Sequence, residues 1–189
     1  MHMQRVLFII GSIRKWSFNK DLARTAATLL QGKAEVRHID YSQIPYMNQD
    51  IEFPAPESVA KIREDVLWAD GIWIFSPEYN HSYPGVLKNL LDWLSRPLTP
   101  NGSQNESPLV SKPVTISTVT HIGRGAGCRT KLVSLLETLR MDVMSVPLTS
   151  VYISSTSLAT NQLLLSKDDL LHLTIQANAF IHKLTYLKR

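Results

Sequence analysis

The chain has 189 residues, 44% of them hydrophobic and 19% charged, a balance that fits one globular domain able to bury its core without disulfides or a structural metal. Its lone cysteine, Cys128, excludes an intrachain disulfide and no apolar run is long enough to span a bilayer, so a cytoplasmic protein without membrane partners is expected. A net charge of +4 and a pI of about 9.2 raise nucleic acid as a partner, but the bases are dispersed rather than clustered, and no nucleic-acid partner is expected.

In chain order, five strand candidates alternate with helical segments. Residues 5–10 are an aliphatic run of the kind buried on both faces of a parallel sheet. Residues 19–30 follow with Leu22, Ala23, Ala26, Leu29 and Leu30 on one helical stripe. A short strand over 35–39 leads to a helix over 57–68, where Val59, Ile62, Val66 and Leu67 recur at helical spacing. The third strand spans 71–75 and the next helix 84–94, with Pro84 near the first turn, where a missing N–H costs little. Then come a strand over 113–119, a helix over 127–139, a short fifth strand over 143–146 and a closing helix over 167–186. Residues 96–112, rich in Pro, Asn, Ser and Gly, read as a mobile surface loop near the carboxyl edge of the sheet. Strands alternating with helices imply right-handed crossovers and helices on both faces of a parallel sheet. The expected architecture is α/β, a flavodoxin-like three-layer fold with a five-stranded parallel sheet in the order 2-1-3-4-5, as a single domain over residues 1–189.

Ligands of such sheets lie outside the carboxyl ends of the strands where strand order reverses, here between strands one and three. After strand one, Gly11 permits a tight turn, Ser12 and Ser17 supply hydroxyls, Arg14 a fixed cation, and Asn19 an amide. Unpaired N–H groups at the start of the next helix favour an anion, so the loop reads as a phosphate cradle. The alternative is a plain strand-to-helix turn with Ser17 or Asn19 as N-cap. The glycine patterns of dinucleotide and nucleotide triphosphate loops are absent, which leaves a simple terminal phosphate.

After strand three, Pro77-Glu78-Tyr79-Asn80 is pinned by proline at both ends, since Pro84-Gly85 opens the following helix. Such a loop holds its N–H groups at fixed angles, as a flat ring with edge acceptors requires. Tyr79 is placed to cover a ring edge, and Asn80 and His81 to present donors. A lone Glu78 is better explained by a salt bridge or a helix N-terminus than by acid catalysis. The third loop, after strand four, offers Thr118, Thr120, His121 and the flexible Gly123, Gly125 and Gly127. The loops together point to bound flavin mononucleotide and hydride chemistry.

On Gly11-Ser12-Ile13-Arg14 with Ser17-Phe18-Asn19, and on Pro77-Glu78-Tyr79-Asn80 with Pro84-Gly85-Val86-Leu87-Lys88-Asn89 and Asp92-Trp93, the chain resembles the NADPH-dependent FMN reductase family of the flavodoxin-like superfamily. That family includes bacterial chromate and quinone reductases. Ser95-Arg96-Pro97 and Lys112-Pro113-Val114 extend the match, which fades beyond the helix after Gly127. The resemblance implies that Ser12, Arg14, Ser17 and Asn19, with Phe18 beside them, hold the FMN phosphate, and that Pro77, Glu78, Tyr79 and Asn80 line the ring. Thr118, His121 and Gly123 of the third loop would complete the cofactor site. It also implies a homodimer or homotetramer with the helix over 84–95 at its interface. Two departures, Val119-Thr120-His121 and an apparent insertion over 98–106, fall where nicotinamide and acceptor are expected to enter.

The expected activity is FMN-dependent NAD(P)H oxidation, with NADPH or NADH as co-substrate and a small-molecule electron acceptor such as a quinone or free flavin. No side chain is required as acid, base or nucleophile, so Tyr79 and Asn80 are positioning residues only. Two other classes compete, a flavodoxin-type electron carrier and a redox-sensing flavoprotein. Carriers tend to be acidic and to lack an arginine in the phosphate loop, whereas this chain is basic and has Arg14. Arg96 and Arg124 are candidates for a 2′-phosphate.

Overall fold

The computed structural model describes residues 3–187 except Ile122, and of Gln104 the backbone only. Five parallel strands form one sheet in the order β2-β1-β3-β4-β5. They are β1 (Gln4–Ile10), β2 (Ala34–His38), β3 (Gly71–Ser76), β4 (Pro113–Thr120) and β5 (Asp142–Tyr152). Every residue of β3 and β4 is buried, as their aliphatic and β-branched content requires of strands covered on both faces. The edge strand β2 carries charge and is mostly exposed.

Because neighbouring strand residues point to opposite faces, β1 and β3 each divide their apolar residues between two cores. Leu7, Ile9, Ile72 and Ile74 pack beneath α2 (Glu57–Trp68), α3 (Gly85–Leu94) and α4 (Ala126–Thr138). Val6, Phe8, Trp73 and Phe75 pack beneath α1 (Phe18–Leu29) and α6 (Lys167–Tyr186). Both helix layers and the strand order are as the sequence predicts.

Two expectations need correction. The fifth strand does not stop at Val146 but runs to Tyr152, past a register irregularity: Thr115 pairs with Met144, whereas Ser117 pairs with Thr149. Pro147 falls in that irregular stretch, where a missing N–H breaks no ladder bond. The buried side chain of Gln176 from α6 fills the gap. Its Oε1 accepts from Ser117 Oγ and Thr149 N at 2.9 and 2.8 Å, while its Nε2 donates to Thr115 Oγ1 and Ile116 O at 2.8 and 2.9 Å. Beyond β5 lies a helix the sequence did not announce, α5 (Ser155–Thr160), whose single turn and a half is too short for a periodic signal.

The second correction concerns residues 96–112, which lead into the amino end of β4 and so lie at the opposite edge of the sheet from the one expected. Ser111 N donates to Arg140 O just before β5, and Lys112 Nζ to Ala69 O just before β3. Nor is the stretch merely a surface loop: Leu109 is fully buried and Ser107 Oγ donates to Leu94 O. Arg96 is bound by both oxygens of buried Glu52 at 2.8 and 3.1 Å, which removes it as a phosphate ligand at the carboxyl edge.

Candidate functional site

The loops leaving β1, β3 and β4 converge outside the carboxyl ends of the strands, around the point where strand order reverses. Gly11 N still donates to Phe75 O at 2.8 Å, so the first loop departs directly beside the end of β3. Ser12, Ser17, Phe18 and Asn19 are buried there, and Arg14 is exposed. Ser17 takes the N-cap position of α1 with extended backbone, yet its side chain makes no cap hydrogen bond. The first paired donors of the helix are Lys20 N and Asp21 N, both onto Ser17 O. The hydroxyl of Ser17 and the N–H groups ahead of Lys20 therefore form a donor set that suits an anion.

Arg14 lies beside this donor set, with one guanidinium nitrogen on Asn161 Oδ1 and its charge 5.6 Å from the ring centre of Phe18. Asn19 does something else. Its amide bridges to β4, accepting from Val119 N at 3.1 Å and donating to Val119 O at 3.3 Å, so it fixes the start of α1 against the third loop.

The second loop is a two-residue hairpin. Tyr79 N and Ser82 N exchange hydrogen bonds with each other's carbonyls at 2.8 and 3.0 Å, and Asn80 and His81 at the tip both have positive φ, 52° and 57°. Asparagine and histidine are among the non-glycine residues that adopt that conformation most often. Glu78 anchors the hairpin: Oε2 accepts from Cys128 N at 2.8 Å in the first turn of α4, and Oε1 lies 3.5 Å from His81 Nδ1. Of the two roles open to Glu78, the helix N-terminus is thus the principal one. Gly127 is required by this docking, since a Cβ there would lie 3.0 Å from His81 O. Cys128 is buried, and desolvation pushes its thiol pKa up, so it is packing rather than a reactive group.

In the third loop, Arg124 and Gly125 both take the left-handed conformation. A Cβ at Gly125 would come within 2.7 Å of Thr118 Oγ1. Thr118 is fully buried beneath that turn, bonded to Arg124 O and Ser150 Oγ. His121 points the other way and stacks on Tyr152, ring centres 5.8 Å apart and planes 24° apart.

The result is an open-sided cleft of about 240 Å3. On one wall are Ser12, Arg14, Ser17, Phe18 and Asn19, and on another Pro77, Glu78 and Tyr79, with His121 on a third. Asn80, Thr118 and Gly123 are outside its lining: Asn80 is at the hairpin tip, Thr118 is under the turn, and Gly123 is exposed on the third loop. The sequence reading missed Ile153 and Leu158, which β5 and α5 bring to the same cleft beside Val119 and Thr120. The run Thr149-Ser150-Val151-Tyr152-Ile153, rich in β-branched residues, was the available signal for them.

Residues 4–155 match the model of the NADPH-dependent FMN reductase family. The chain is 39% identical over 150 residues to a quinone reductase of Escherichia coli K12, covering 76% of this chain and 74% of that protein. It is 41% identical over 93 residues to a 2-hydroxy-1,4-benzoquinone reductase of a Burkholderia species, a stretch that spans 49% of this chain and about half, 51%, of the relative. Among solved structures it superposes on FerB, a flavoenzyme NAD(P)H:(acceptor) oxidoreductase of Paracoccus denitrificans, with a TM-score of 0.83 at 26% identity, over 97% of this chain and 98% of that one. The anion cradle at α1 and the anchored hairpin after β3 thus occur in the setting of known flavoenzymes, and the chain belongs to the NADPH-dependent FMN reductase family.

Proposed function

We propose that this chain, acting as one FMN-binding domain, is an NAD(P)H oxidoreductase that delivers electrons to a quinone-type acceptor. The observation that carries the reading is the meeting, in one crevice, of an anion-binding donor set and a rigid hairpin. The donor set fits FMN: Ser12, Ser17, Arg14 and the first N–H groups of α1 suit a terminal phosphate, and Tyr79 beside Pro77 offers an apolar surface to a ring. Bound there, FMN supplies the hydride-accepting and electron-donating chemistry. The residues of the chain bind and orient. Arg14 neutralises the phosphate, Asn19 holds the cradle against β4, and Glu78 fixes the hairpin through α4.

The cleft, at about 240 Å3, is below the range of about 300–1,000 Å3 usual for ligand sites. Tyr79 is 51% exposed at its rim. Both features support a homodimer in which a second copy covers the open side. Asn80 at the hairpin tip and the exposed Gly123 are then positioned to meet ligand or partner rather than to line the cleft within one chain.

The test is a visible spectrum of protein incubated with FMN and desalted, taken before and after anaerobic NADPH and again after a benzoquinone is added. Retained flavin absorbance that bleaches with NADPH and returns with the quinone is expected. Flavin that is neither retained nor bound in a titration would overturn the cradle, and bound flavin that does not bleach would overturn the enzyme.

A further inference from the structure

A larger cleft, about 660 Å3, opens on the far side of the first loop, outside the carboxyl ends of β1 and β2. The loop is its partition: Arg14 faces the FMN cleft, Ile13 and Lys15 face this one, and Ser12 borders both. Nothing in the flavin reading uses it.

Its lining is cationic. Lys15, Lys20 and Arg24 all contribute, and only Arg24 has an ion pair, with Asp21 at 2.7 Å. Among the described residues, no carboxylate lies within ion-pair distance of Lys15 or Lys20. The acid of the cleft, Asp40, is held ionised mainly by Ser42, whose N–H donates to one of its oxygens at 2.9 Å and whose side chain adds a second hydrogen bond, with a smaller contribution from the charge of Lys20. Ile10, Ile13 and Ile39 give the cleft an apolar side. Tyr41 adds its ring alone, because its hydroxyl is spent on Ile10 O at 2.6 Å. Two ammonium groups that no carboxylate pairs among the described residues, one carboxylate and an apolar wall match a phosphorylated nucleoside: phosphate on the lysines, a ribose hydroxyl on Asp40, the base against the isoleucines.

We propose that this cleft binds the phosphorylated adenosine end of the nicotinamide co-substrate, with Lys15 and Lys20 taking its 2′-phosphate, and that it sets a preference for NADPH over NADH. The assignment rests on the oxidoreductase reading for its source of nucleotide, but the cleft's chemistry stands without flavin. A 2′-phosphate brings roughly two negative charges that NADH lacks, so the two lysines discriminate where the shared parts of the co-substrates do not.

The experiment compares wild-type protein, the double variant Lys15→Ala/Lys20→Ala and, as a charge control on α2, Lys61→Ala. Steady-state kinetics are run with FMN-loaded protein. The double variant is expected to raise KM for NADPH by about tenfold or more and to change KM for NADH by less than about twofold, with retained flavin unchanged. Equal changes in both KM values, or a change in neither, overturn the proposal, as does an equal effect from Lys61→Ala. Calorimetry with adenosine 2′,5′-bisphosphate and with 5′-AMP on flavin-free protein reads the cleft even if the flavin reading fails. Tighter binding of the bisphosphate, lost in the double variant, supports the site. Bisphosphate that binds but does not compete with NADPH overturns the co-substrate assignment in favour of a free nucleotide.

Discussion

The two edges of the sheet treat their charges differently. At the amino edge, Arg5 donates from its backbone and guanidinium to Asp70 at 2.8 and 3.1 Å, Lys183 meets Asp142 at 2.7 Å, and Lys112 donates to Ala69 O at 2.7 Å. At the carboxyl edge, Arg14 meets the neutral amide of Asn161 and the ring of Phe18, Lys15 lies over Trp16 with 5.1 Å to the ring centre, and Lys20 has no ion pair among the described residues. Cations at the amino edge close the protein on itself, while Arg14, Lys15 and Lys20 at the other have no carboxylate partner among the described residues. A surface charge already satisfied by the fold adds stability, and one left unsatisfied adds affinity at little structural cost.

Three substitutions test that division, the largest effect first. Asp70→Ala leaves Arg5 without its carboxylate beside partly buried Lys112, and is expected to cost about 2–3 kcal/mol in urea unfolding, less than a fully buried pair because Arg5 keeps some solvent. FMN affinity should stay within about twofold, and a matching loss of affinity would show that the two edges are coupled. Arg14→Ala should do the reverse, weakening FMN by about 10- to 100-fold while unfolding stability stays within about 0.5 kcal/mol. Riboflavin, which has no phosphate, should bind both proteins alike, and an equal loss for riboflavin would remove Arg14 from the phosphate.

The smallest effect concerns His38, which desolvation and then the charge of Arg24 hold below its ordinary pKa of 6.5. The unfolded chain therefore takes up the proton first, so this contribution to stability is present above about pH 6.5 and is lost as pH falls toward the folded value. His38→Gln should narrow the difference in thermal midpoint between about pH 7.5 and about pH 5.5. An unchanged difference would mean that neither burial nor the charge of Arg24 shifts the imidazole in the folded chain.

The strands and long helices were legible because each carries a run or stripe that only one period fits. The three central strands read as apolar runs, and α2 and α6 run over the residues the sequence predicts, Glu57–Trp68 and Lys167–Tyr186. The first and second loops were legible for a different reason: Ser17, Arg14, Pro77 and Glu78 have few other reasons to appear at strand ends in that order. The far wall of the cleft was not. Pro147 reads as the end of a strand, and only the side chain of a residue from another helix, Gln176, shows why the strand resumes. Composition placed residues 96–112 on the surface but carried nothing about which edge of the sheet they border. Strand direction decides that, since a helix-to-strand connection in a parallel sheet returns to the amino end. The cleft between β1 and β2 escaped notice because its cations, Lys15, Lys20 and Arg24, and its other wall, residues 39–42, come from separate stretches that meet only in the fold.

The amide of Gln176 has a reach beyond the gap it fills. It holds the register in which Thr149–Tyr152 pairs with Ser117–Thr120, and that register delivers Ile153 to the candidate cleft and Tyr152 to His121. A slip of one residue would turn Val151 out of the core and carry Ile153 off the cleft wall. The last helix, far along the chain from the loops after β1 and β3, thereby keeps the address of residues on the far wall of the candidate cleft.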